Sequence, residues 1–203
     1  MLQILGSQTL LPGPRAFGIA HKKQIVAKSQ RSVCFSEIPL NQLGRLVKRR
    51  KSKYGIGFRK SFITSRGGGP IWYVQFGSSA HEALRKLIDK ALKGPDPQQD
   101  PIWRMTPFID IKGNHTNAPY KYDFDWEREW RVPGPLPLEF KAQDVAMLFI
   151  PEELHSAAWT FFDDAVNDNR GPGYFCPYLD PEWDSEQIKK ALAKYSSYST
   201  NQK

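Results

Sequence analysis

The stretch Asp123-Phe124-Asp125-Trp126-Glu127-Arg128-Glu129-Trp130-Arg131-Val132-Pro133-Gly134 constrains this chain more than any other part of it. It places four acids, two arginines and two tryptophans side by side and then closes on a Pro-Gly turn. Read with the two-residue period of a strand, Phe124, Trp126, Arg128, Trp130 and Val132 share one face. Asp123, Asp125, Glu127, Glu129 and Arg131 share the other. A strand with four carboxylates and an arginine along one side is not expected to be passive core.

The surrounding chain of 203 residues is long enough for one domain with a substantial core. With 40% apolar and 13% aromatic residues it does not have the composition of a disordered segment. No apolar run approaches the roughly 20 residues of a membrane span. Met1–Pro14 lacks the basic and apolar regions of a secretory signal, so a cytoplasmic location is expected. The two cysteines, Cys34 and Cys176, are too few for a disulfide framework and are expected to be buried thiols. The four histidines, His21, His81, His115 and His155, show no metal-ligand spacing, so no metal is expected. His81 and His155 are expected on the surface. Charge is divided unevenly: residues 1–70 carry +13 and residues 71–203 carry −5. Such asymmetry fits either a phosphate-binding face or a basic half folded against an acidic one.

Along the chain, Met1–Leu11 is expected to be a short helix or irregular segment, and Ser32–Ser36 a buried strand. Asn41 is placed to cap a helix with Leu43, Leu46 and Val47 on one side and basic residues around the other. Tyr54–Phe58 reads as a strand whose glycines suit a bulge or a close backbone approach. Ile71–Phe76 reads as a central strand. A helix starts at Ser78-Ser79 with Ala83, Leu84, Leu87, Ile88, Ala91 and Leu92 inward, and stops at Gly94-Pro95. Met105–Ile111 reads as a strand, Asn114–Tyr120 as a turn, and Ala142–Ile150 as a strand. Pro151 opens a helix to about Asp168 with Leu154, Ala158, Phe161, Phe162 and Ala165 inward. A helix from Asp184 to Tyr195 precedes a frayed end. About six short strands mixed with about four helices predict one α+β domain over residues 1–203.

Two features could carry chemistry or binding. Glu127 and Glu129 on one strand face would lie roughly 6–7 Å apart, close enough to act on one substrate. Ser36, beside Glu37 on another strand, could join them. Solvent-exposed acids paired with Arg128, Arg131 or the basic half are the alternative. Lys48, Arg49, Arg50 and Lys51, with Lys53 close behind, form the densest basic cluster. They fit a solvated helix end, where cations are favoured, or a phosphate contact.

Four blocks occur in order: Val33-Cys34-Phe35-Ser36-Glu37-Ile38-Pro39-Leu40, Tyr54-Gly55-Ile56-Gly57-Phe58-Arg59-Lys60, Gly69-Pro70-Ile71-Trp72-Tyr73-Val74, and Glu127-Arg128-Glu129-Trp130-Arg131-Val132-Pro133. Together, over about residues 1–150, they resemble the abortive-infection Gi family, small bacterial proteins linked to phage resistance and often labelled antitoxin. That family is in turn distantly similar to the ADP-ribosyltransferases. This second likeness implies a central, mostly antiparallel, strongly twisted mixed sheet flanked by about four helices. It implies NAD as cofactor, Glu129 as catalytic glutamate, Glu127 as its companion, and Ser36 on the serine strand. Phe35, Tyr54, Arg15 and His21 would help to hold NAD. Arg15 and His21 are only the nearest counterparts of that family's first motif, because Met1 falls where the segment after its first strand is expected. The chain would then either continue upstream or keep the fold without the activity.

Three readings follow: an ADP-ribosyltransferase-like enzyme of phage defence, a non-enzymatic antitoxin that binds a protein or nucleic acid through its basic half, or a strand whose acids serve structure.

Overall fold

Seven helices and ten short strands make up the described part of the computed structural model, which covers residues 1–113 and 125–200. The helices are α1 Leu2–Ser7, α2 Leu43–Arg50, α3 Lys60–Ser65, α4 Ser79–Leu92, α5 Ile102–Met105, α6 His155–Asn167 and α7 Ser185–Thr200. The strands are β1 Thr9–Leu10, β2 Ser32–Ser36, β3 Gly55–Phe58, β4 Gly69–Pro70, β5 Trp72–Gln75, β6 Ile109–Lys112, β7 Glu129–Pro133, β8 Leu138–Glu139, β9 Val145–Phe149 and β10 Tyr178–Leu179. The fold is α+β, with its strands distributed over several small sheets instead of one central sheet. Asp123, Phe124, His115 and the expected turn at Asn114–Tyr120 lie outside the described residues. No helix among the described residues is long and apolar enough to cross a membrane.

The chain divides into two compact units. One comprises Met1–Leu10, Ile38–Phe62 and Glu139–Lys203. Its sheet runs β10-β9-β3, with β9 parallel to β10 and antiparallel to β3. Leu43, Leu179 and Ile188 pack there with Ile38, Met147 and Phe149 around them. The glycines of β3 do what their positions suggested. The register shifts between Gly57 and Phe58, and a side chain on Gly57 would collide with Met147. Asn41 caps nothing; it sits in the 3-10 turn Leu40–Gln42 that leads into α2, whose N-cap is Gln42. A 3-10 turn, Glu152–Leu154, separates Pro151 from α6. Of the five residues expected inward on α6, only Phe162 is buried, and Phe161 is 53% exposed. The last helix, α7, continues through Thr200.

The other unit comprises Leu11–Glu37 and Ile63–Leu138. It holds the antiparallel sheet β2-β7-β4 and the parallel pair β5-β6. β5 is therefore an edge strand of a two-stranded sheet, not a central one, and Trp72 is half exposed. The strand expected from Met105 begins only at Ile109, because α5 and the 3-10 turn Thr106–Phe108 occupy the preceding residues. Pro107 has no N–H to give to a ladder, which favours that turn. Ser78, rather than Ser79, caps α4 by accepting from the His81 amide at 3.2 Å. His81 is buried: its Nδ1 accepts the Gly77 N–H at 3.0 Å and its ring packs on Phe76. His81, Leu84, Ile88 and Ala91 are the buried residues of α4, whereas Leu87 is half exposed.

Gly18 fixes how the N-terminal segment of this unit reaches the strands. Its φ is +79°, and a Cβ there would run into the Thr106 carbonyl. Gly18→Ala is expected to lower unfolding free energy by about 2 kcal/mol or more, through strain and clash together. Urea denaturation checks this; an unchanged midpoint would contradict the close approach.

Candidate functional site

The acidic stretch is a strand only in its second half. Asp125–Glu127 form a 3-10 turn, Arg128 takes a left-handed conformation with φ +42°, and β7 starts at Glu129. Glu127 and Glu129 therefore do not share a strand face. Glu127 is buried at 6% exposure, and its carbonyl accepts the Glu37 amide at 3.1 Å. The Arg128 carbonyl accepts the same amide at 3.2 Å, which anchors the unusual backbone on β2's end.

From Glu129 onward the expected alternation holds. β7 pairs with β2 so that Cys34 faces Arg131, Phe35 faces Trp130 and Ser36 faces Glu129. Opposed residues of an antiparallel pair project to the same side. One face thus carries Cys34, Ser36, Glu129 and Arg131, and the other carries Val33, Phe35, Trp130 and Val132. Ser36 and Glu129 are brought together, with Ser36 exposed. Phe35 is on the opposite face from both. There Trp130 Nε1 donates to Glu37 Oε2 at 3.0 Å, and the exposed Arg128 guanidinium lies 3.8 Å from Glu37 Oε1.

Arg131 is the centre of the first face. Its side chain is 1% exposed. Nε donates to Glu129 Oε1 at 2.7 Å and Nη2 to Glu129 Oε2 at 3.1 Å, a two-pronged pair. Nη2 also donates to Asp110 Oδ2 at 2.7 Å, and Nη1 donates to the Pro107 carbonyl at 2.7 Å. The Phe17 ring centroid lies 4.9 Å from the guanidinium carbon. Burial, the largest single influence, pulls the Arg131 pKa down. The bonds and charges of Glu129 and then Asp110 outweigh it, so the guanidinium is held above its ordinary value.

Distant parts of the unit hold this cluster in place. Thr106 Oγ1 donates to Gln30 Oε1 at 2.8 Å inside the core, fixing the turn that offers the Pro107 carbonyl. The Phe17 amide donates to the Gln30 carbonyl at 2.8 Å, which seats the ring over Arg131. Arg131 was among the partners the sequence offered for these acids, beside Arg128 and the basic half, whereas Asp110 was missed. The spacing Glu129-x-Arg131 on one strand face was a visible signal for the first pair. Asp110 belongs to a different sheet, and no local pattern points to it.

Chemically, the arrangement neutralises most of a buried charge cluster. Glu129 and Asp110 keep 17% and 26% of their side-chain surface exposed, so each carboxylate also reaches solvent. Cys34 on the same face is exposed, against the expectation of a buried thiol, and Cys176 is partly so. Protein packed around its thiol and the Glu129 carboxylate push the Cys34 pKa up to about 12, with Arg131 opposing. His21 is exposed and its Nδ1 is bonded to the Gly18 carbonyl at 2.8 Å, and Arg15 is exposed. Tyr54 and the Lys48–Lys53 cluster belong to the other unit.

The family described as "Putative abortive phage resistance protein AbiGi, antitoxin" matches residues 14–158, which includes both the Arg131 face and the α2 cluster. The chain belongs to this family. Neither the curated proteins nor the solved structures give a significant match. The family match places this AbiGi-type protein in abortive-infection phage defence. The comparisons give no support to the ADP-ribosyltransferase resemblance.

Two measurements check the electrostatics of the face. Arg131→Ala leaves two carboxylates without their cation and is expected to cost about 3–5 kcal/mol of stability. Arg131→Lys, which cannot make the two-pronged contact, should recover only part of this loss in urea denaturation. Cys34 should alkylate roughly 1000-fold more slowly at pH 8 than a thiol of ordinary pKa, because so little thiolate is present. The rate should climb as pH approaches 12. Glu129→Gln should speed it by removing the second cause of the shift.

Proposed function

We propose that this protein is an antitoxin that acts by binding a toxin partner in phage defence, without turning over NAD. Membership of a family described as antitoxin supports the partner. The observation that carries the non-enzymatic part is the engagement of Glu129. The glutamate that would have to hold a ribose hydroxyl is fastened by both oxygens to a buried arginine, which Asp110 also holds. Glu127, its expected companion, is buried in the preceding turn. A carboxylate fixed in this way stabilises the sheet, and taking it for catalysis would leave Arg131 with half its compensation.

One observation favours the enzymatic reading: Ser36 stands opposite Glu129 in register, on the exposed edge of the same face. Under that reading Ser36 and Glu129 would contact NAD, and ADP-ribose would pass to a macromolecule.

Co-expression with the toxin partner that this reading requires separates the two readings. Growth should be rescued by the wild type and equally by Ser36→Ala, an exposed substitution that leaves the Arg131 cluster untouched. Calorimetry with NAD should register no binding. Loss of rescue by a folded Ser36→Ala protein, together with NAD binding that this variant abolishes, would overturn the antitoxin-by-binding reading.

A further inference from the structure

Residues 38–62 contain eight lysines and arginines and no acid. Most of them crowd onto the C-terminal half of α2 and the turn after it. Residues 48–54 are all exposed, while Leu43 is buried and Leu46 and Val47 are half-buried. The turn is well fixed. Lys51 closes α2 with φ +51°, and Ser52 Oγ accepts from the Tyr54 amide at 3.2 Å. Lys53 is engaged by Glu182 at 2.5 Å, with the charges of Asp180 and Glu153 also acting on it, so the phosphate contacts are confined to the residues before it. The helix-end preference for cations accounts for one or two of these charges, not for a segment without a single acid.

The chain then leads directly into a cavity. Tyr54, next after Lys53 and half exposed, is one wall of an open groove of about 570 Å³. Ile150, Leu154, Ala158, Phe161 and Phe162 form much of the rest. The Phe161 ring is also half exposed. By helical spacing the α6 acid Asp163 lies opposite the stripe that faces the groove, whereas Asp164, seven residues after the groove-lining Ala157, lies at the edge of that stripe. An apolar groove with exposed aromatic faces, entered from a strongly basic turn, matches a ligand with flat apolar rings joined by anionic links.

We propose that this unit binds single-stranded nucleic acid, with a base in the groove against Tyr54 and Phe161 and the neighbouring phosphates on the basic end of α2. Stacking uses the π-face that every base has, so recognition at this site is tolerant of sequence. Phosphate neutralisation by Lys48 and Lys51 makes binding depend on salt. Duplex DNA keeps its bases stacked inside the helix and offers only half of this chemistry. The site belongs to the unit that does not hold the Arg131 face and does not depend on the toxin-binding reading.

The test is fluorescence anisotropy of a labelled 20-residue poly-dT or poly-rU strand with the full chain, between about 50 and 200 mM salt. Lys48→Gln/Lys51→Gln should lower the slope of log affinity against log salt by about 1.4. Lys86→Gln/Lys93→Gln removes the same net charge from exposed positions of the other unit and should leave the slope nearly unchanged. Tyr54→Ala should weaken binding roughly 5- to 150-fold at unchanged slope, and Tyr54→Phe should not. Circular dichroism confirms that each surface variant folds. The proposal is overturned by absence of binding, by equal losses in the two lysine pairs, by full affinity in Tyr54→Ala, or by tighter binding of duplex than of single strand.

Discussion

A guanidinium taken out of water costs several kcal/mol unless its donors and its charge are met, and Arg131 is almost wholly out of water. Several separate parts of its unit meet that requirement. Glu129 meets two donors from the same strand, Asp110 reaches in from β6, and the turn before β6 supplies the Pro107 carbonyl. Phe17 covers the guanidinium from a segment more than a hundred residues away in the chain. Gln30 ties that segment to the same turn through Thr106. One buried cation thus holds together β7, the β6 region and the N-terminal part of the unit, parts that no continuous sheet joins.

The sequence showed the strands themselves more clearly than what they do. The β-branched and aromatic residues of Ser32–Ser36 marked β2 to the residue, although Cys34 and Ser36 are exposed where a buried strand was expected, and β7, the second half of the acidic stretch, alternates as expected. The break at Arg128 was hidden because alternating residue types run straight through it. What decides the conformation there is the Glu37 amide, which collects carbonyls from both Glu127 and Arg128, and that contact joins residues about ninety positions apart. The same lack of long-range information explains the strand expected at Met105. Pro107 carried the signal against it, but the apolar residues around it outweighed that signal in a local reading. His81 shows a third case, since a histidine early in a helix reads as surface until the Gly77 amide is seen on its Nδ1.

The candidate site was half legible. Ser36 and Glu129 meet across the β2–β7 ladder, as the ordered sequence blocks suggested. Their meaning changed once Arg131 was seen between the carboxylates. Acids that look idle on a strand, and so available for chemistry, are in place because an arginine two residues along the same face has to be buried. Such a cluster serves as scaffold: it gives a small unit built from short strands a fixed shape. The basic end of α2 and the groove beside Tyr54 lie in the other unit.

The most direct measurement of this account is a double-mutant cycle on Arg131 and Glu129, with both residues truncated to Ala singly and together and stability read from urea denaturation. The account predicts strong coupling, about 2–3 kcal/mol, because each single change leaves a partly buried charge without its partner and the double change removes both. Additive losses within about 0.5 kcal/mol would contradict it. Glu129 would then be free of Arg131 in energetic terms and open to the catalytic role that its place opposite Ser36 suggests.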